Sequence, residues 1–124
     1  MAAILNLLSA SFVFLCILKT GYAPCTVLDI AVSQSKTGRN VNGKPEYQVA
    51  VTNLCLCAQS SLLLKCGGFN SVLPVDPNVF KALGGDQCSV NNGQPVSKGN
   101  TITFKYASDT QFELSPVSSQ IKCA

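Results

Sequence analysis

The sequence predicts an all-β fold: an antiparallel β-sandwich of about seven to eight short strands with one short helix, stapled by disulfides and preceded by a signal peptide. Three observations point there. Apolar and polar residues alternate with a period of two in several short runs, the mark of half-buried strands. Turn residues punctuate those runs roughly every 8–12 residues. Six cysteines follow an apolar N-terminal stretch, as in small domains of oxidising compartments.

The N-terminus comes first. Residues 3–18 are apolar except for Asn6, Ser9 and Ser11, and Lys19 and Thr20 end the run. Gly21-Tyr22-Ala23 supplies small residues at the −3 and −1 positions of a cleavage site, so residues 1–23 read as a secretory signal peptide. The run is shorter than the ~20 residues a membrane-spanning helix needs. Its removal takes away Cys16 and leaves one domain, residues 24–124. Cys25, Cys55, Cys57, Cys66, Cys88 and Cys123 remain. An even count behind a signal peptide implies three disulfides, and six cysteines allow 15 pairings among which the sequence does not choose. No C-x-x-C pair and no histidine is present, which speaks against a zinc site.

Leu28, Ile30 and Val32 alternate with Asp29, Ala31 and Ser33 as a first strand. Residues 35–44 are polar, contain two glycines and read as an exposed loop carrying Lys36, Arg39 and Lys44, with Asn42-Gly43 as a tight turn. Tyr47, Val49 and Val51 then form the inward face of a second strand, with Glu46 on the solvent side. Cys55 and Cys57 share the inward parity if no bulge intervenes. Two residues along a strand span ~6.5–7 Å, too far for Cβ atoms that must approach to ~4 Å. The two cysteines are therefore expected to bond different parts of the chain. Leu62, Leu64 and Cys66 share one face of the next strand, and Gly67-Gly68 turns the chain.

Asp76-Pro77 reads as a helix start, with Phe80 and Leu83 on one face and Gly84-Gly85 as its end. Cys88 and Val90 open another strand, Asn92-Gly93 is a hairpin signal, and Lys98-Gly99-Asn100 is a further turn. Ile102, Phe104 and Tyr106 alternate inward, Phe112 and Leu114 follow, and Val117, Ile121 and Cys123 share a parity.

Composition excludes several chemistries. Without histidine no Ser-His-Asp or Cys-His arrangement exists. The carboxylates Asp29, Glu46, Asp76, Asp86, Asp109 and Glu113 are scattered, and no set of catalytic roles assembles, so no enzyme is expected. Gly67-Gly68 and Gly84-Gly85 lack a phosphate-cradle pattern, and no cofactor is expected. Loss of Lys19 with the signal leaves eight basic and six acidic residues, a net +2, far from a nucleic-acid footprint. A glycan-binding module would need a flat aromatic platform. The chain has no Trp, and Tyr47, Phe104, Tyr106 and Phe112 fall on core parity.

Seven pieces in one order carry a resemblance. They are C-x-x-x-D-I (Cys25–Ile30), T-G (Thr37-Gly38), G-x-P-E-Y-x-V-x-V-x-N-x-C (Gly43–Cys55), L-x-C-G-x-F (Leu64–Phe69), D-P-x-x-F-x-x-L (Asp76–Leu83), C-x-V-N-x-G-x-P (Cys88–Pro95) and F-x-Y-A (Phe104–Ala107). A closing V-S-S-x-I-x-C (Val117–Cys123) fits as well. Together they resemble the plant tapetum-determinant family of small secreted cysteine-rich proteins. The resemblance implies an extracellular, apoplastic signalling ligand that binds the ectodomain of a leucine-rich-repeat receptor-like kinase and acts in anther cell differentiation. The sequence departs from the named anther ligands in one respect: only Pro24 separates the expected cleavage from Cys25, where they carry a long segment. Lys36, Arg39, Lys44 and Phe69 are the expected partner contacts of a monomer not inserted in a membrane. An extracellular-matrix or glycan-binding sandwich is the alternative.

Overall fold

The computed structural model describes residues 25–123. The signal peptide expected over residues 1–23, with Cys16, lies outside the described residues, as do Pro24 and Ala124. Period-two alternation becomes strands. The first strand, β1 (Ile30–Val41), pairs antiparallel with β2 (Lys44–Asn53), and β2 pairs with β6 (Thr101–Ala107). These form a three-stranded sheet in the order β1-β2-β6. The second sheet holds four strands in the order β4-β5-β3-β7, namely Phe80–Gly84, Gln87–Val90, Ala58–Lys65 and Ser115–Lys122. The β-branched and aromatic inward residues of both sheets meet between them. Val49, Val51, Leu62, Leu64, Val90 and Tyr106 are fully buried there. Each such aliphatic side chain contributes about 1.5–3 kcal/mol relative to exposure.

Three disulfides staple this sandwich: Cys25–Cys55, Cys57–Cys123 and Cys66–Cys88. Cys55 and Cys57 thus reach different parts of the chain, as the strand spacing requires. They do so from a loop, because β2 ends at Asn53 and residues 54–57 leave the ladder.

That loop is organised from inside by two buried amides. Asn53 Nδ2 donates to the carbonyls of Cys57 and Val96, both at 2.8 Å, and its Oδ1 accepts from Cys55 N–H at 2.9 Å. Gln59 Nε2 donates to Thr26 O at 3.0 Å and to Asn53 Oδ1 at 3.4 Å, while Gln59 Oε1 accepts from Ser119 Oγ at 2.6 Å. Gln59 also exchanges two backbone bonds with Val96. Both side chains are inaccessible to solvent, yet no buried side-chain nitrogen or oxygen among the described residues lacks a partner.

At the other end of the core, Tyr106 O–H donates to Gln34 Oε1 at 2.6 Å and accepts from Phe112 N–H at 3.0 Å. Six rings, Tyr47, Phe69, Phe80, Phe104, Tyr106 and Phe112, form one connected cluster with centroids 4.2–5.7 Å apart. Burial raises the Tyr106 phenol above its ordinary range, outweighing the Phe112 N–H bond, which lowers it.

Several sequence expectations are corrected. The stretch after Asp76 is a turn, not a helix: Asp76 O accepts from the N–H groups of Val79 and Phe80, and its Oδ1 from Asn78 N–H. Phe80 then enters an edge strand, because its ring stacks on Phe104 at 4.2 Å and pulls the segment into the sheet. Among the described residues the helical content is two 3₁₀ turns, Val27–Asp29 and Asn91–Gly93. Asn92-Gly93 lies in the second of these and makes no hairpin. The Ser35–Lys44 loop is instead the outer half of the β1–β2 hairpin, its polarity being that of a strand pair beyond the core. Glu46, read as solvent-facing, is buried and accepts from Thr37 Oγ1 at 2.8 Å. Asp29 is no strand residue but the reciprocal cap of the first 3₁₀ turn with Thr26, which leaves Leu28 outside. Val117 and Ile121 are exposed, since β7 is an edge strand whose side chains extend past the core.

Three outcomes follow from this packing. Mass spectrometry of the mature protein should show a gain of six hydrogens on reduction and no alkylation before it, and the Cys57→Ala/Cys123→Ala pair should lose about 2–4 kcal/mol in denaturant titration. Asn53→Ala, which takes the amide partner from Cys57 O and Cys55 N–H and leaves Val96 O with its Gln59 N–H bond alone, should lower stability by about 3 kcal/mol in the same titration. Tyr106 holds its proton more tightly folded than unfolded, so its contribution is intact below pH 10.0 and is lost as pH rises through the folded value. Absorbance at alkaline pH should show one phenol ionising late, and Tyr106→Phe should remove that component.

Candidate interaction surface

What the molecule can do depends on which groups are left over once the fold is satisfied. The carboxylates are mostly engaged. Asp29 Oδ2 accepts from Thr26 N–H at 2.8 Å, Glu46 from Thr37, Asp76 from Asn78, and Asp109 pairs with Lys44. Cys25, Asp29 and Cys55 bring potential metal-ligand atoms within 4.8 Å of one another, but the two sulfurs are bonded to each other and offer no thiolate. No two of these groups form a nucleophile–base pair.

The basic residues expected to contact a partner sit on the protruding hairpin. Asn42 and Gly43 take φ of 51° and 78°, the left-handed pair that a tight hairpin turn demands. Between Lys36 and Asn40 the register slips, and Thr37–Arg39 bulge from the strand, with Gly38 at φ 86°. Thr37 Oγ1 fixes the bulge by accepting from Arg39 N–H at 3.2 Å while donating to Glu46. Lys36 and Arg39 are exposed and join no ion pair among the described residues. Lys44 differs. Its Nζ lies 2.8 Å from Asp109 Oδ2, tying the turn end of the hairpin to the segment after β6. So exposed a pair contributes about 0–1 kcal/mol.

Phe69 lies apart from that arm. It is half-buried at the centre of the aromatic cluster, 5.0 Å from the Phe80 ring and 5.3 Å from both Tyr106 and Phe112. Its apolar surface is largely committed to the core. The structure thus brings Lys36 and Arg39 together, engages Lys44 with Asp109, and sets Phe69 elsewhere. The half-buried or buried state of all six rings leaves no flat aromatic platform among the described residues.

A second surface was missed by sequence parity. Leu28, Leu54 and Leu56 are 81%, 65% and 77% exposed, at the end opposite the hairpin tip. Leu54 N–H donates to Asp29 O at 3.0 Å, joining the leucine-bearing loop to the first 3₁₀ turn. The signal was present in Leu54-Cys55-Leu56-Cys57. Cysteines that turn inward to bond leave the alternating leucines outside.

Comparison with known proteins bears on these surfaces. Residues 26–124 match the family described as Tapetum determinant 1, C-terminal. The chain is 38% identical over 95 residues to TPD1 protein homolog 1A of Oryza sativa subsp. japonica, covering 70% of this chain and 42% of that protein. It is 38% identical over 96 residues to TPD1 protein homolog 1 of Arabidopsis thaliana, covering 76% and 54%. It is 28% identical over 91 residues to TPD1 protein homolog 1B of Oryza sativa subsp. japonica, covering 73% and 54%. The chain therefore spans about half the length of these curated relatives. No solved structure matches it. With the family match running from the first described turn to the end of the chain, this protein belongs to the tapetum-determinant family.

Proposed function

We propose that this chain is a secreted plant signalling ligand that binds the ectodomain of a leucine-rich-repeat receptor-like kinase and acts in reproductive cell differentiation. Family membership across residues 26–124 is the observation that carries the reading. The geometry supports it. Three disulfides suit an extracellular, apoplastic life. The side chains left free are contact groups rather than reacting groups. Repeat ectodomains offer extended concave surfaces, and a stapled sandwich docks on one with little loss of conformational freedom. Contact falls on the protruding hairpin, where Lys36 and Arg39 face solvent on a bulge held by Thr37 and Glu46.

The test is titration of the purified, oxidised protein against the ectodomains of the host's receptor kinases and, separately, against cell-wall glycans. One ectodomain should bind saturably. Lys36→Glu with Arg39→Glu should weaken that binding by about tenfold or more, in line with ~1 kcal/mol or more for two interfacial charges, while thermal unfolding stays unchanged. Leu54→Ser with Leu56→Ser serves as the comparison at the opposite end. Loss of binding there alone would move the contact away from the hairpin. Glycan binding without any ectodomain partner would overturn the ligand reading in favour of a matrix protein.

A further inference from the structure

The outer edge of β6 carries unpaired backbone groups. Three contacts fix which residues those are. Asn100 O and Ser108 N–H bond toward β2, to Asn53 N–H and Pro45 O. Ala107 turns the other way: its N–H donates to Ser71 Oγ at 3.0 Å and its carbonyl accepts from Val72 N–H at 3.0 Å. The β2–β6 ladder runs from Glu46↔Ala107 to Thr52↔Thr101 without a register shift. Alternation along an antiparallel strand then sends the N–H and C=O of Ile102, Phe104 and Tyr106 to β2, and those of Thr101, Thr103 and Lys105 outward. None of the outward groups of Thr103 or Lys105 bonds to another described residue.

Beside this edge stands a wall. After Val72 the chain stops following β6, because Pro74 has no N–H to continue a ladder. It swings away through Leu73, Val75 and Val79, leaving a cleft of about 390 Å³ between these side chains and Thr103, Phe104 and Lys105. Leu73, Pro74, Val75, Val79 and Phe104 give this cleft apolar walls, Gln48 and Asp76 add polar side chains to its lining, and along Thr103 and Lys105 it meets the free backbone donors and acceptors of the β6 edge. Lys105 is exposed and joins no ion pair among the described residues.

We propose that this edge is a strand-docking site, which takes an extended segment of a partner protein as an added strand on β6. The chemistry of the occupant follows from what faces it. Its backbone pairs with the N–H and C=O of Thr103 and Lys105. A carboxylate side chain lies opposite Lys105 on the outer face, where opposite charges across strands stabilise pairing. The residues on either side of it turn apolar side chains toward Leu73, Val75, Val79 and Phe104. A second copy of this chain fits less well, since its own β6 edge is bordered by the same wall and two walls would meet. The site is independent of the receptor reading and of the hairpin.

A test uses isotope-labelled, disulfide-intact protein and the peptide acetyl-Thr-Val-Glu-Val-Thr-amide as probe, followed by amide hydrogen exchange. In free protein the Thr103 and Lys105 amides should exchange fast and the Phe104 amide slowly. Saturating peptide should slow the first two by about tenfold or more and leave Phe104 unchanged, since exchange reads loss of open backbone groups. Methylating the glutamate nitrogen of the peptide should abolish the effect. Lys105→Glu, at an exposed position, should keep the fold and switch preference to the Thr-Val-Lys-Val-Thr peptide. Unchanged exchange at millimolar peptide would overturn the proposal, as would equal protection by the methylated peptide. Protection that appears without peptide and grows with protein concentration would assign the edge to a second copy and overturn it too.

Discussion

The side-chain amide of Asn53 is the point on which the closed end of this molecule depends. It is fully buried at the last position of β2, and both of its heteroatoms are used twice. Three segments without a ladder of their own, the first turn at Thr26, the 54–57 loop and the Val96 bridge, meet the C-terminal strand at Ser119 around it and its neighbour Gln59. An irregular loop buried against a core carries backbone groups that no strand will satisfy. A hydrocarbon at position 53 would take the amide partner from one carbonyl, Cys57 O, and one N–H, Cys55, in a poorly solvated site, each costing about 1–3 kcal/mol. The consequence is an inversion of the usual layering. Amides lie inside, and Leu54 and Leu56 lie outside, beside cysteines whose backbone the Asn53 amide holds and whose sulfurs are bonded.

Tyr106 plays the corresponding part at the other end, but through ring contacts. Its ring meets Tyr47, Phe69 and Phe112, and its hydroxyl links Gln34 of β1 to the segment after β6. Gln34 Nε2 also donates to Phe112 O at 2.7 Å, so the amide closes a three-way connection among β1, β6 and the segment that follows β6. Beyond this point the β1–β2 pair has no second sheet to cover it. Its residues are accordingly polar, and the hairpin continues on backbone pairing, the Thr37–Glu46 bond and the Lys44–Asp109 ion pair.

How much of this was legible in the chain follows from the same division. Parity located Tyr47, Val49, Val51, Leu62, Leu64, Cys88, Val90, Phe104 and Tyr106 because each lies in a strand with one face on the core. Parity failed where a strand ran past the core, as at Val117 and Ile121, or stopped short of it, as at Cys55. The Ser35–Lys44 stretch misled because a solvated strand pair has the composition of a loop. The Asp76-Pro77 turn misled because its cap chemistry is that of a helix start, and only the distant Phe104 ring makes Phe80 a strand residue. Glu46 was unreadable in principle. Its partner Thr37 lies on the other strand, across from it in the register that sets Lys36 against Tyr47, and no local pattern reveals that pairing. The disulfide pairing and the Asn53–Gln59 contact are likewise products of topology, not of spacing.

The two ends of the β1–β2 pair differ in how much freedom a contact there must give up. Ten residues of extended chain set them roughly 30 Å apart, so one small interface cannot span both. Near Cys25, Cys55, Cys57 and Cys123 the backbone is cross-linked twice, and the leucines displayed there carry short side chains with few rotamers to freeze. On the hairpin, Lys36 and Arg39 are long, solvated and supported by a bulge and by one exposed ion pair beside the turn. Immobilising each costs about 0.5–1.5 kcal/mol, and their Coulomb attraction is screened within ~8 Å at physiological salt. Charges in such a position act mainly on approach and orientation, through the field they extend into solvent. Lasting contact is better supplied by groups already held in place. Under the proposed ligand reading the hairpin charges thus act on the approach and orientation of a partner, whereas the cross-linked end offers groups that would give up less freedom in a contact.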